Sequence, residues 1–207
     1  MPTQILCTAF RELWSSNSTR SLTLARLVQH KRQIEGWWKC ELAAHLWDYA
    51  AKVDGEAHVW MEAPDRADIA IACGTGNKNG VLAPATGDGR TIIPMELKTV
   101  GTFWGGGAGV EKAYREPGKK RLEQDMVDAQ RGRRPAYPFS VVALLVTHAG
   151  TSDDAVLKQY LRRARELGEQ HELKMVLDEA VSLPTIPDML STAHQFAWTA
   201  TARSSAV

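Results

Sequence analysis

Ile92-Ile93-Pro94-Met95-Glu96-Leu97-Lys98 is an apolar run with an acid and an amine set two residues apart. Alternate residues of an extended strand share a face, so Glu96 and Lys98 point to the same side. Burying both charges among Ile, Met, Leu and Val is costly unless something uses them. A divalent cation with a water to activate is such a user. The apolar character holds from Thr91 to Val100, which predicts a central strand covered on both faces.

Working upstream, Asp68-Ile69-Ala70-Ile71-Ala72 and His58-Val59-Trp60-Met61 read as two short strands, with Pro64 marking the turn between them. Before them, Thr23 to Lys52 carries Leu24, Leu27, Val28, Ile34, Trp38, Leu42, Leu46 and Tyr49 near helical spacing, with a break expected near Gly36. The connection from Cys73 to Arg90 is too long for a common hairpin loop and reads as a surface excursion or a substrate-facing flap. Downstream, Lys119 to Arg131 reads as a helix with Leu122, Met126, Val127 and Gln130 able to face the sheet. Phe139 to Thr147 is a strongly apolar fourth strand. A charged helix capped by Ser152 or Asp153 should run to about Gln170, and Lys174 to Val181 forms a late strand. From Leu183 onward the pattern assigns no element.

The motif Asp68…Glu96-Leu97-Lys98, with Pro64-Asp65 upstream, resembles the PD-(D/E)XK nuclease superfamily, the restriction-endonuclease-like phosphodiesterases. The resemblance covers roughly Leu24 to Thr147 and extends to the order of elements. It implies an α/β fold with a restriction-endonuclease-like core, a central mixed sheet flanked by helices in the order α-β-β-β-α-β, then a further helix and strand. On this reading residues 1–207 form one domain, with a core of about 24–147 and a C-terminal extension of about 148–207.

The same resemblance implies a catalytic set. Asp68 and Glu96 would bind magnesium, or manganese in its place, and the Leu97 carbonyl would add a third oxygen. Lys98 would orient or help deprotonate the attacking water and stabilise developing negative charge. Asp65 is an alternative register for the first acid, but Asp68 directly opens the apolar alternation. The first helix should supply a further acid. Glu41 in Trp37-Trp38-Lys39-Cys40-Glu41-Leu42 is the preferred match and Glu35 its competitor. On the helix after the motif, Lys120, Gln124 and Asp125 are candidates to face the site, with Lys120 and Gln124 placed toward substrate. From Lys112 to Arg134 eight basic residues stand against four acidic ones, a surplus that could track phosphates. The implied partner is nucleic acid, DNA before RNA, and a homodimer would suit cleavage of both strands.

Composition narrows the alternatives. A formal net charge of +1 announces no polyanion partner for the chain as a whole, so any nucleic-acid surface must be local. Three cysteines without paired short spacings favour reduced thiols and a cytoplasmic setting. No apolar run approaches the roughly 20 residues that span a membrane, and no signal peptide is apparent. The six histidines lack the His-x-x-x-His spacing of a zinc hydrolase, and Gly74-Thr75-Gly76 lacks the Lys-Ser/Thr pair of a phosphate loop. Trp37, Trp38 and Trp47 read as core residues before base-stacking platforms. A nuclease-like fold that only binds nucleic acid or a partner is the competing expectation.

Overall fold

A computed structural model of the chain describes residues 2–14, 19–30, 34–53, 58–61, 67–73, 91–102, 114, 122–130, 139–187 and 190–201. Helices α1 (Pro2–Leu13), α2 (Thr19–Gln29) and α3 (Glu35–Val53) precede strands β1 (His58–Met61), β2 (Ile69–Cys73) and β3 (Thr91–Gly101). Helix α4 (Leu122–Gln130) and strand β4 (Phe139–His148) follow. Helix α5 (Ala155–Gln170) and strands β5 (Lys174–Val181) and β6 (Thr192–Thr201) complete the order. The break expected near Gly36 falls just upstream of it, between the end of α2 at Gln29 and the start of α3 at Glu35, with Gly36 in the first turn of α3. Asp154, not Ser152 or Asp153, caps α5: its carboxylate accepts the Val156 amide at 2.7 Å. The excursion at 74–90 and the ends of the basic segment, Lys120 included, lie outside the described residues.

The strands form one mixed sheet in the order β1-β2-β3-β4-β6-β5. β3 runs parallel to β4, and all other neighbours are antiparallel. A parallel pair needs a crossover, and α4 lies in the chain that connects β3 to β4. Side-chain alternation then sorts the helices into two layers. Ile93, Met95 and Leu97 of β3, with Val141, Ala143 and Leu145 of β4, pack under Phe10, Leu24, Trp38 and Leu42 from α1 to α3. On the opposite face Val100, Val142, Leu144 and Val146 meet Leu122 and Met126 of α4 and Leu157, Tyr160, Ala164 and Leu167 of α5. Both faces of β4 are thus covered, which is why its six residues from Val141 to Val146 are all apolar and buried. Each large aliphatic chain among them contributes roughly 1.5–3 kcal/mol of burial. Trp38 is fully buried and Trp37 packs beside Trp14, whereas Trp47 is 51% exposed, against the expectation of a core role.

Candidate active site

The site forms where β2 stops and β3 continues. The antiparallel register pairs Ile69 with Met95 and Ala70 with Pro94, and Asp68 is the residue just before that ladder. Even-numbered residues of both strands share a face. Ala70, Ala72 and Ile92 pack together there, and Val100 meets the layer that includes α4. Glu96 and Lys98 therefore share a face of β3, and Asp68 stands in the bend just outside β2 beside it. Pro94 precedes by one residue the ladder to β4, which begins at Met95, so its missing amide costs no bond in that ladder.

Beyond Met95, side-chain carboxylates take the place of a strand partner along this edge of β3. Asp68 Oδ2 accepts the Leu97 amide at 2.8 Å, and Glu35 Oε2 accepts the Thr99 amide at 3.2 Å. Backbone donors in a half-buried notch need partners, and these two acids provide them. The Leu97 carbonyl accepts a bond from Lys98 Nζ at 3.0 Å.

Three charged contacts close the cluster. Lys39 Nζ of α3 lies 2.7 Å from Asp68 Oδ1, Lys98 Nζ lies 3.3 Å from Asp125 Oδ2 of α4, and Glu35 Oε1 is 3.8 Å from Lys98 Nζ. Helix α3 thus reaches the notch with Glu35 and Lys39, residues one turn apart on the same helix face. Glu41 is two residues past Lys39 and hence about 200° round the helix. It pairs with Arg20 at 2.8 Å instead, so the acid that α3 brings to this cluster is Glu35. On α4, Asp125 stands three residues after buried Leu122 and shares its face, whereas Gln124 is exposed and donates to Asp128 at 2.8 Å. Lys39 is the member of the cluster with no role in the motif. Its spacing of four from Glu35 was the signal that could have found it.

Electrostatics divide the cluster. The Lys98 ammonium is only 12% exposed, and burial alone would weaken it. Asp125, Glu35 and Asp68 together more than reverse that, so it is held charged and suits charge stabilisation rather than base work. Burial would likewise push the Asp68 carboxyl up. The Lys39 ammonium, the Leu97 amide and the Lys98 charge outweigh it and keep Asp68 ionised. Asp125, 7% exposed, goes the other way: burial raises it to about 6, with Lys98 pulling it only part of the way back. Its Oδ2 is fully buried and, despite the ion contact, makes no well-formed hydrogen bond.

Asp68, Glu35 and Asp125 bring hard carboxylate oxygens of the kind a divalent cation takes, beside the Lys39 and Lys98 ammoniums. Among the described residues, however, no three His, Cys, Asp or Glu side chains converge into a metal-ligating group. The ammoniums stand between the acids. No helix among the described residues is long and apolar enough to cross a membrane. Comparison with family models, with curated proteins and with solved structures returns no match to this chain. What the coordinates define is an α/β protein with a mixed sheet between helical layers and a charged notch at the centre of that sheet.

Proposed function

We propose that the protein is a metal-dependent nuclease of the PD-(D/E)XK type, hydrolysing phosphodiester bonds with DNA as the favoured substrate. The observation that carries this reading is the bond from the Leu97 amide, between Glu96 and Lys98 on β3, to Asp68 Oδ2 at 2.8 Å. The order α-β-β-β-α-β from α3 to β4 supports it independently.

In this reading Asp68, Glu96 and the Leu97 carbonyl hold magnesium or manganese. The cation supplies an activated water and offsets phosphate charge. The hard oxygen donors of that set support the fit. Lys98, kept as an ammonium, stabilises charge developing on the phosphate. Asp125 and Glu35 hold Lys98 in position, and Lys120, with the other basic residues of the 112–134 segment, would be the side chains to contact the phosphate backbone.

A second reading has a specific observation behind it. Lys39 already sits on Asp68 and Lys98 on the Leu97 carbonyl, as in a fold that binds nucleic acid or a partner without cutting. Linear DNA, circular DNA and RNA, each incubated with magnesium, manganese or chelator, distinguish the two. Cleavage by the wild type that needs the metal and is lost in Glu96→Ala and Lys98→Ala is the expected result. Undiminished cleavage by both variants would sink the proposed site, and binding without cleavage would favour the second reading.

A further inference from the structure

Away from the notch, a second group of polar side chains meets where β3 and β4 end, and the chemistry proposed above does not use it. Thr102 follows the last residue of β3, His148 closes β4, and Asp154 caps α5. Thr102 stands four residues beyond Lys98, roughly 13 Å along an extended chain. Its Oγ1 lies 2.7 Å from His148 Nδ1, and His148 Nε2 lies 3.5 Å from Asp154 Oδ2. The imidazole side chain is only 9% exposed, and its Nε2 is fully buried without a hydrogen bond. Neither neutral tautomer relieves this. With Nδ1–H donated to Thr102, the Nε2 lone pair faces a carboxylate oxygen, two acceptors with nothing between them. With Nδ1 accepting from the Thr102 hydroxyl, Nε2–H reaches toward Oδ2 across a gap too long for a good bond.

Both donors are already aimed. Thr102 holds the far nitrogen of the ring and the Val156 amide holds Asp154 Oδ1 at 2.7 Å, which leaves Nε2 and Oδ2 facing each other. Metal-ligating imidazoles and carboxylates are oriented in this way by the groups behind them. An ion about 2.0–2.2 Å from a nitrogen and an oxygen in tetrahedral geometry sets them roughly 3.3–3.4 Å apart, close to the gap observed. Gly150 keeps the ring nitrogen clear of a further side chain, since a Cβ there would lie 2.3 Å from Nε2. We propose that His148 Nε2 and Asp154 Oδ2 bind a zinc-class divalent ion, separate from the notch, that ties the end of β4 to the start of α5. An imidazole beside one carboxylate favours zinc, cobalt or nickel, whereas the oxygen donors of the notch suit magnesium or manganese. Among the described residues no third His, Cys, Asp or Glu joins the pair, and water can complete the coordination. The Asp154 side chain, 39% exposed, is the way in from solvent.

The test is calorimetric titration of the full chain with zinc chloride, so it does not depend on cleavage. A zinc-binding step should be lost, or weakened at least about tenfold, in both His148→Gln and Asp154→Asn. Asparagine keeps a good cap on α5 while removing the charged ligand, so the second variant separates coordination from helix stability. Zinc should also raise the unfolding temperature of wild type more than that of either variant. Thermal unfolding in chelator checks that each variant is folded. Glu96→Ala, in the notch, should keep the zinc step. If folded His148→Gln and Asp154→Asn bind zinc as tightly as wild type, or wild type binds none, the site is refuted whatever becomes of the nuclease reading. Loss of the zinc step in Glu96→Ala alone would assign the ion to the notch and equally overturn the proposal.

Discussion

Two clusters of charge sit in this sheet, and they are built on opposite plans. At the outer end, Asp178 of β5 receives two bonds from Arg165 of α5, at 2.7 and 2.9 Å, and a third contact from His194 Nε2 of β6 at 2.6 Å. The guanidinium also lies 5.6 Å from the Phe196 ring centroid. Asp178 is kept ionised because Arg165 and His194 outweigh its burial, so acid and partners match in number and geometry. In the notch the burial of Asp125 is not offset, and its carboxyl is raised to about 6 although Lys98 lies 3.3 Å from it. A cluster that closes on itself ties a helix to two strands. One that keeps a buried acid at a raised value is where a functional site is to be sought.

Substitutions can break that contrast. The largest effect belongs to the notch: Glu96→Ala or Lys98→Ala should lower a cleavage rate by roughly 100-fold or more, while Asp178→Ala leaves it unchanged. Next is Gly168 in the last turns of α5, where an added Cβ would lie 2.2 Å from Trp198 Nε1, inside the packed layer beside Phe196. Gly168→Ala should cost about 2–3 kcal/mol in denaturant unfolding without touching metal binding, because that core has no room to give.

The pH dependence is a subtler discriminator. Asp125 ionises near 3.8 in the unfolded chain and about 6 when folded. The folded form holds its proton more tightly, so the stability it lends is full below 3.8 and is lost as pH rises through about 6. Asp68 has the opposite sign, since its lowered carboxyl adds stability above the ordinary carboxylate range that disappears on acidification. Unfolding of wild type and Asp125→Asn, compared from pH 4 to 7, should show the variant gaining on wild type by about 2 kcal/mol. A constant difference would mean that Asp125 is not the strained acid described here. The smallest effect is expected at the closed cluster, where Asp178→Ala should cost about 1 kcal/mol because Arg165 keeps access to solvent.

The sequence disclosed the two strands of the notch better than their surroundings, for physical reasons. β3 and β4 are long apolar runs, so burial on two faces wrote them plainly. β5 was found over Lys174 to Val181 with the same bounds. β6 escaped because Thr192 to Thr201 is interrupted by His194 and Gln195 and rich in Ala. Its place between β4 and β5 depends on pairing with distant residues. Helix α1 also went unread, although Phe10 and Leu13 are buried in the core beside Trp38. Strand alternation alone sets Glu96 and Lys98 on one face of β3. Choosing Glu35 over Glu41 required the rotational phase of α3 against the sheet, which depends on where the helix starts. Asp125 was one of three candidates on α4, and the spacing from Leu122 and Met126 would have singled it out.

The most direct measurement is a crystal structure of the protein soaked with manganese, read by the anomalous signal of the metal. One peak in the notch is expected, with oxygens of Asp68 and Glu96 and the Leu97 carbonyl about 2 to 2.6 Å away. No peak there at millimolar manganese, or a peak bound only by residues outside the notch, would contradict it.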